Sequence, residues 1–364
     1  MVEALVMQTE PREGLLILLK SLLDSGKVKG VIALARDSDG SLAYTIVTDP
    51  DKIAALDPLF PLMPANQGRE LSRITSRGSF PEQLAVVARP CELRGFTEAI
   101  KRQQGSRARH IFISHTCRGV FPLKSAVSGK VAESLPEYWD SLPEGEVLSS
   151  LRPACQACAE FVPYNADMTL ELMAKGAESV FLLHTEVAVS ISKDIEGAHE
   201  QRELDLAAIE RSRKKRSEAW SRLSGNIVDD RGLEGLVRLF GRCVGCHACS
   251  DACPICYCTL CTFESPSSEY GPMDYERELR KRGGVRVPPG TLYFHLGRMT
   301  HMSLSCVACG SCQDVCPTDI PISLVFKKAG EAAQRMFNYT PGIDPKQAIP
   351  IVAFEKEEFL DVEE

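Results

Sequence analysis

The sequence predicts two regions of different class, an α/β domain followed by a mainly α-helical one. Three observations carry that prediction. Two short apolar runs, LAVVAR (84–89) and HIFIS (110–114), each end in a polar turn, as strands of a sheet buried on both faces do. Beyond residue 233, segments of helical spacing flank two dense cysteine runs. Between the regions lies a highly charged, helix-prone stretch. The expected boundaries are 1–190 for the α/β domain, 191–232 for a linker, 233–338 for the helical domain and 339–364 for an extended acidic tail.

In chain order, EGLLILLKSLLD (13–24) has helical apolar spacing and ends at Ser25-Gly26. VKGVIALAR (28–36) and LAYTIVTD (42–49) read as strands joined by the turn residues Asp37-Ser38-Asp39-Gly40. LAVVAR runs into Pro90-Cys91-Glu92 and the helix LRGFTEAIKRQ; HIFIS runs into His115-Thr116-Cys117-Arg118-Gly119. Cys91 and Cys117 thus fall just past the carboxyl ends of buried strands, where such sheets place ligands and where a helix N-terminus favours a thiolate. Cys155 and Cys158 follow in a loop opened by Pro153. These four thiols either complete a metal cluster or are two structural cysteines beside a lone CxxC that binds zinc or is redox-active.

The charged stretch SKDIEGAHEQRELDLAAIERSRKKRSEAWSRL reads as a solvated linker helix with Leu204, Ala207, Ala208, Trp220 and Leu223 as its apolar contacts. The basic cluster Arg211 to Arg216 reads as a solvated face, with partner binding as the alternative.

The two cysteine runs share one spacing, C-x2-C-x2-C-x3-C-P. They are Cys243, Cys246, Cys249, Cys253 before Pro254, and Cys306, Cys309, Cys312, Cys316 before Pro317. In that pattern three thiolates hold one 4Fe-4S cluster and the fourth reaches across to the other. The expected sets are Cys243, Cys246, Cys249 with Cys316, and Cys306, Cys309, Cys312 with Cys253. Gly245, Ala248, Ala308 and Gly310 are small enough for backbone N–H groups to approach the clusters. A zinc ribbon or disulfide framework would need neither two complete copies nor the two prolines. Cys256, Cys258 and Cys261 follow at high density in PICYCTLCTF. They either join a fourth or rearranged cluster, completed by Cys155, Cys158, His247, His295 or His301, or tune the neighbouring one. His295 and His301 otherwise read as satisfied structural histidines. The acidic tail reads as wrapping onto a partner subunit.

A net charge of -7 and the lack of a basic stripe argue against a nucleic-acid partner. No run of eighteen apolar residues and no export signal occur, so a soluble cytoplasmic protein without a membrane span is expected. Fifteen cysteines, an odd number, favour metal ligation in a reducing compartment and an anaerobic or microaerobic owner.

ARPCELRG, IFISHTCRG and CQACAEFVPYNADMTL resemble the domain of the beta subunits of deazaflavin-coenzyme-reducing hydrogenases and formate dehydrogenases, over most of residues 13–190. The matching positions are Cys155, Cys158, Glu160, Phe161, Ala166 and Asp167. The resemblance implies a third cluster at Cys91, Cys117, Cys155 and Cys158. It also implies FAD within 1–190; the family's flavin-contacting turn corresponds to 61–75. No GxGxxG supports a dinucleotide independently. CVACGSCQDVCPTDIPISLVFK resembles the helical two-cluster ferredoxin of succinate dehydrogenase and heterodisulfide reductase subunits. Together these imply an electron-transfer subunit whose partner is a formate dehydrogenase catalytic (alpha) subunit bearing a molybdenum- or tungsten-pterin, or a hydrogenase, and in some assemblies a heterodisulfide-reductase-like flavoprotein. A self-contained FAD enzyme acting on a deazaflavin or nicotinamide, and a flavin-free scaffold, are the alternatives.

Overall fold

The computed structural model describes residues 1–350 apart from 38, 79–81, 141–145, 174–177, 226 and 228–231. Its centre is an eight-stranded mixed sheet: β1 (Val2–Met7), β2 (Gly30–Arg36), β3 (Leu42–Val47), β4 (Leu84–Val87), β5 (Ile111–His115), β6 (Met168–Leu170), β7 (Ser179–Leu183) and β8 (Ala198–Arg202), in the order β3-β2-β4-β5-β6-β7-β1-β8. The central strands β2, β4, β5 and β6 run parallel, and the flanking pairs are antiparallel. β4 and β5 are buried at every position, which is why they read as uninterrupted apolar runs.

The helix Pro11–Asp24 presents Leu15, Leu18, Leu19 and Leu22 to one face of the sheet. On the other face, Leu71 of helix Gln67–Thr75 and Leu93 and Phe96 of helix Pro90–Lys101 pack over Ile32, Val86 and Phe112.

Two expectations at the end of this domain change. β8 pairs with β1 from Val2↔Arg202 to Val6↔Ala198, so the sheet takes in residues expected in the linker from 191. Its residues are mostly exposed, as on an edge strand, and their polar composition hid the pairing. The helix Leu206–Gly225 does not stand free either: Ala208 and Ile209 pack with Phe161 and Met173.

The C-terminal region is helical as expected, with Leu233–Phe240 leading to the first cysteine run, Thr291–Met302 to the second, and Ile322–Met336 following it. Its core combines Phe240, Phe294, Ile320, Ile322, Leu324 and Phe326 with Cys243, Cys249 and Cys316. This region is packed against the sheet domain. Arg94 donates to the Pro341 carbonyl at 2.8 Å, and Tyr339 and the Gly342 amide donate to Glu98 Oε1 at 2.5 and 2.8 Å. Tyr339 and Ile349 are buried, so the segment expected as an extended tail folds back onto its own chain to at least 349; residues 351–364 lie outside the described residues.

Candidate metal centres

The two cysteine runs fold alike. Two and four positions after the leading cysteine, the backbone turns left-handed in both: Gly245 (φ 66°) and His247 (φ 54°) in one, Ala308 (φ 55°) and Gly310 (φ 85°) in the other. Alternating left- and right-handed residues turn successive N–H groups inward into a concavity suited to an anion. The Gly245 amide donates to Cys243 Sγ at 3.4 Å, and the Ile320 amide to Cys316 Sγ at 3.4 Å. A cubane held by thiolates carries net negative charge, and amides aimed at sulfur are what it requires.

The thiols of the two runs fall into two groups. Cys249 lies within electrostatic reach of Cys243, Cys246 and Cys316, and Cys312 within reach of Cys309, Cys253 and Cys306. Burial raises the Cys249 thiol to about 12 and the Cys306 thiol to about 12. In such a site a thiolate persists only against a cation, which iron provides. Cys253, Cys306, Cys309 and Cys312 line one small cavity with Arg298, and its remaining wall is largely apolar, with Ile255, Met302 and Phe326. The donor set fits a 4Fe-4S cluster at each crossed set, and at the second the four thiols also share a cavity.

The four cysteines of the α/β domain also come together. Cys155 lies within electrostatic reach of Cys117 and Cys158, and Cys91 within reach of Cys117, Cys155 and Cys309 of the second run. The Gly119 amide donates to Cys117 Sγ at 3.4 Å. Cys91 sits in the first turn of helix Pro90–Lys101, where burial first and then the Glu92 carboxylate raise its thiol well above the ordinary range. Cys117 lies in a loop; the next helix begins only at Leu123.

Buried arginines around these sites had no signal in the spacing. Arg152, fully buried, donates to the Cys309 carbonyl at 2.8 Å and pairs with Asp314. Arg216 donates to the carbonyls of Cys155 and Cys117 at 2.9 and 3.0 Å and lies 4.4 Å over the Phe161 ring, so the basic cluster expected to be solvated contains one buried member. Arg69 donates to the carbonyls of Ser250 and Cys253 at 2.9 and 3.0 Å. Arg298 donates to Cys249 Sγ at 3.0 Å.

Cys256, Cys258 and Cys261 line a separate pocket of about 360 Å³ with Arg69, Arg73 and Arg77. Cys155 and Cys158 are engaged with Cys91 and Cys117 instead. His247 pairs with Glu264 and stacks on Phe294 at 4.1 Å, and His301 is exposed. His295 is buried against Phe240 at 4.2 Å, but neither ring nitrogen finds a hydrogen-bond partner among the described residues; it is a structural histidine without the expected satisfaction. Among the described residues no three His, Cys, Asp or Glu side chains converge on one metal-ion position.

The chain is similar to formate dehydrogenase beta subunits. It is 25% identical over 368 residues to the F420-dependent formate dehydrogenase subunit beta of Methanocaldococcus jannaschii, covering 90% of each chain. It is also 25% identical over 372 residues to the F420-dependent formate dehydrogenase 1 subunit beta of Methanococcus maripaludis, covering 90% of this chain and 89% of that one. Residues 240–320 match the 4Fe-4S dicluster domain, which spans both cysteine runs. A solved structure of the F420-reducing [NiFe] hydrogenase complex from Methanosarcina barkeri contains a chain that aligns with a TM-score of 0.44 and 15% identity, over 61% of this chain and 90% of that one.

The segment 61–75 offers no open phosphate cradle. At the start of helix Gln67–Thr75 the Gln67 amide donates to Glu92 Oε1 at 3.2 Å and the Gly68 amide to Asn66 Oδ1 at 3.0 Å. The donors that a flavin pyrophosphate would use there are already taken. No described helix is long and apolar enough to cross a membrane.

Proposed function

We propose that this chain is an iron-sulfur electron-transfer subunit of a cytoplasmic formate dehydrogenase or hydrogenase complex, with three ligand sets in series. These are Cys91, Cys117, Cys155 and Cys158; then Cys306, Cys309, Cys312 and Cys253; then Cys243, Cys246, Cys249 and Cys316. The observation that carries the reading is Arg152, which donates to the Cys309 carbonyl beside Cys155, with Cys91 in electrostatic reach of Cys309; together these join the α/β set to the dicluster region. Clusters bound at these sites supply one-electron transfer. The chain's own contribution is to hold the thiolates, aim amides at sulfur, exclude water and set buried guanidinium charge beside each site.

The names of the relatives support a catalytic partner of formate dehydrogenase type, and a heterodisulfide-reductase-like flavoprotein is a further partner that the ligand series would suit. Cys256, Cys258 and Cys261 belong to this reading as thiols flanking Cys253, with Cys256 in electrostatic reach of both Cys253 and Cys261. A flavin in the α/β domain, if carried, sits elsewhere than on the amides at the start of the 67–75 helix.

Iron, acid-labile sulfide and released flavin per chain, measured on anaerobically purified complex, test the proposal. About twelve irons are expected, at four per cubane. About eight would remove the α/β set and reduce the chain to a two-cluster wire; about sixteen would assign a fourth cluster to the Cys256 pocket. One FAD per chain would make the chain the flavin-bearing relay, and none would make it a relay of clusters alone.

A further inference from the structure

Arg298 lies on the helix Thr291–Met302, in the segment that separates the two cysteine runs. Its side chain is 4% exposed. One terminal nitrogen donates to Cys249 Sγ and the other to the Cys249 carbonyl, both at 3.0 Å. The guanidinium is flanked by the rings of Phe294 and Phe326 at 5.4 and 5.3 Å. No carboxylate is recorded as its ion-pair partner among the described residues; the groups that hold its charge are thiols. The same guanidinium lines the cavity shared by Cys253, Cys306, Cys309 and Cys312. Cys249 belongs to one crossed set, and Cys253 and Cys312 to the other. A single buried cation therefore stands between two sites that each gain a negative charge on reduction.

We propose that Arg298 is a shared countercharge: it holds the reduction potentials of both dicluster sites up and keeps them close together. This rests on the two-cluster reading of the crossed cysteine sets. A fixed positive charge in a poorly screened interior stabilises the reduced form of whichever cluster is near it. Because this guanidinium faces both sets, it also offsets the repulsion that a first electron would impose on a second. The planar fork suits the role, since its charge is spread over nitrogens directed at different groups, whereas an ammonium is a point charge on a flexible stem. His295 and His301 share this helix, His247 stacks on its Phe294 and Arg286 donates to its Thr291; His247 pairs with Glu264 instead of Arg298.

The test is redox potentiometry followed by electron paramagnetic resonance on the full chain in its anaerobically purified complex, comparing wild type with Arg298→Gln and Arg298→Lys and measuring iron in each sample. Arg298→Gln with full iron is expected to lower both dicluster potentials, each by at least a tenfold change in the reduction equilibrium, about 59 mV for one electron. The α/β cluster should not move. Arg298→Lys should keep the mean of the two dicluster potentials above that of Arg298→Gln while opening a gap between them. Unchanged potentials in a fully loaded Arg298→Gln, or a shift confined to one site, would overturn the proposal. If Arg298→Gln loads no iron, Arg298→Lys decides: a widened gap supports the shared charge, and an unaltered gap sinks it. Failure of the two-cluster reading would show separately, as fewer than about eight irons in the wild type.

Discussion

The two cysteine loops share spacing and backbone twist but not surroundings. The 306–316 loop is the inner one. Its Gly310 faces Arg152 and Ala154, its Cys309 carbonyl accepts from Arg152, and its Val307 carbonyl accepts from Arg94 at 3.5 Å. The 243–253 loop is the outer one: it also meets the α/β domain, through Arg69 on the Ser250 and Cys253 carbonyls, but its Cys246 is exposed and its Gly245 faces Pro288 of the intervening segment. One ligand pattern therefore serves two tasks, contact with the α/β site on one side and a rim open to solvent on the other. The spacing sets what is bound; the side chains packed behind each loop set what it can exchange electrons with.

The strongest way to break this asymmetry is to remove the inner loop's anchor. Arg152→Ala leaves Asp314, nearly as buried as the arginine, without its cation; removing one partner of such a pair costs about 3–5 kcal/mol. A large fall in Tm with loss of the inner cluster is expected. The matching truncation at the outer loop, Arg242→Ala, removes one hydrogen bond from an exposed guanidinium to the Asp319 carbonyl and should barely move either.

Next in size is a pair of glycine substitutions. Gly245→Ala and Gly310→Ala both place a side chain at positive φ, a strain of about 1–2 kcal/mol. The new methyl overlaps a neighbour at both positions, but more deeply at 310, 2.4 Å from Arg152 Cδ and 2.8 Å from Ala154 Cβ, than at 245, 2.9 Å from Pro288 Cγ. Thermal unfolding should rank Gly310→Ala well below Gly245→Ala; equal losses would show that the α/β contact adds nothing to the inner loop.

Cysteine replacements sharpen the comparison by function. Cys246→Ser and Cys309→Ser should each lower the iron content, by up to about four per chain. With Cys246→Ser, the signals of the α/β and inner clusters should persist and exchange electrons with each other. With Cys309→Ser, the α/β cluster should become isolated from the outer one in rapid-reduction experiments.

The smallest effect concerns pH and the outer side. Burial, with Arg298 and His247 nearby, lowers His295 from its ordinary 6.5 to about 4. Between those values the unfolded chain binds the proton and the folded chain does not. The stability held above pH 6.5 is therefore lost progressively as pH falls towards 4. His295→Leu should flatten that slope, seen as a Tm difference between variant and wild type that changes from pH 7 to pH 5.

Much of this was legible in the residues because ligand spacing is local. The eight dicluster cysteines and the strands from 84 and 110 depend on short stretches of chain, whereas Cys91, Cys117, Cys155 and Cys158 come from three separated segments and were joined as one set by the family resemblance. The arginines were not legible. Arg152, Arg216 and Arg298 look like ordinary surface cations in sequence, and Arg216 even stands inside a charged run. Their burial follows from carbonyls and thiols contributed by segments up to 157 residues away. β8 was hidden because an exposed edge strand carries polar residues, and the inward turn at 339–349 because its few apolar residues have no periodicity.

The strap at Tyr339–Gly342 clasps the two regions of the molecule. Glu98 lies in the first third of the chain, yet it accepts from Tyr339 and the Gly342 amide, 241 and 244 residues further on. The same Tyr339 borders a cavity of about 310 Å³ that Cys158 and Cys306 also line. One side chain therefore both fastens the regions together and walls the flank where their thiols approach.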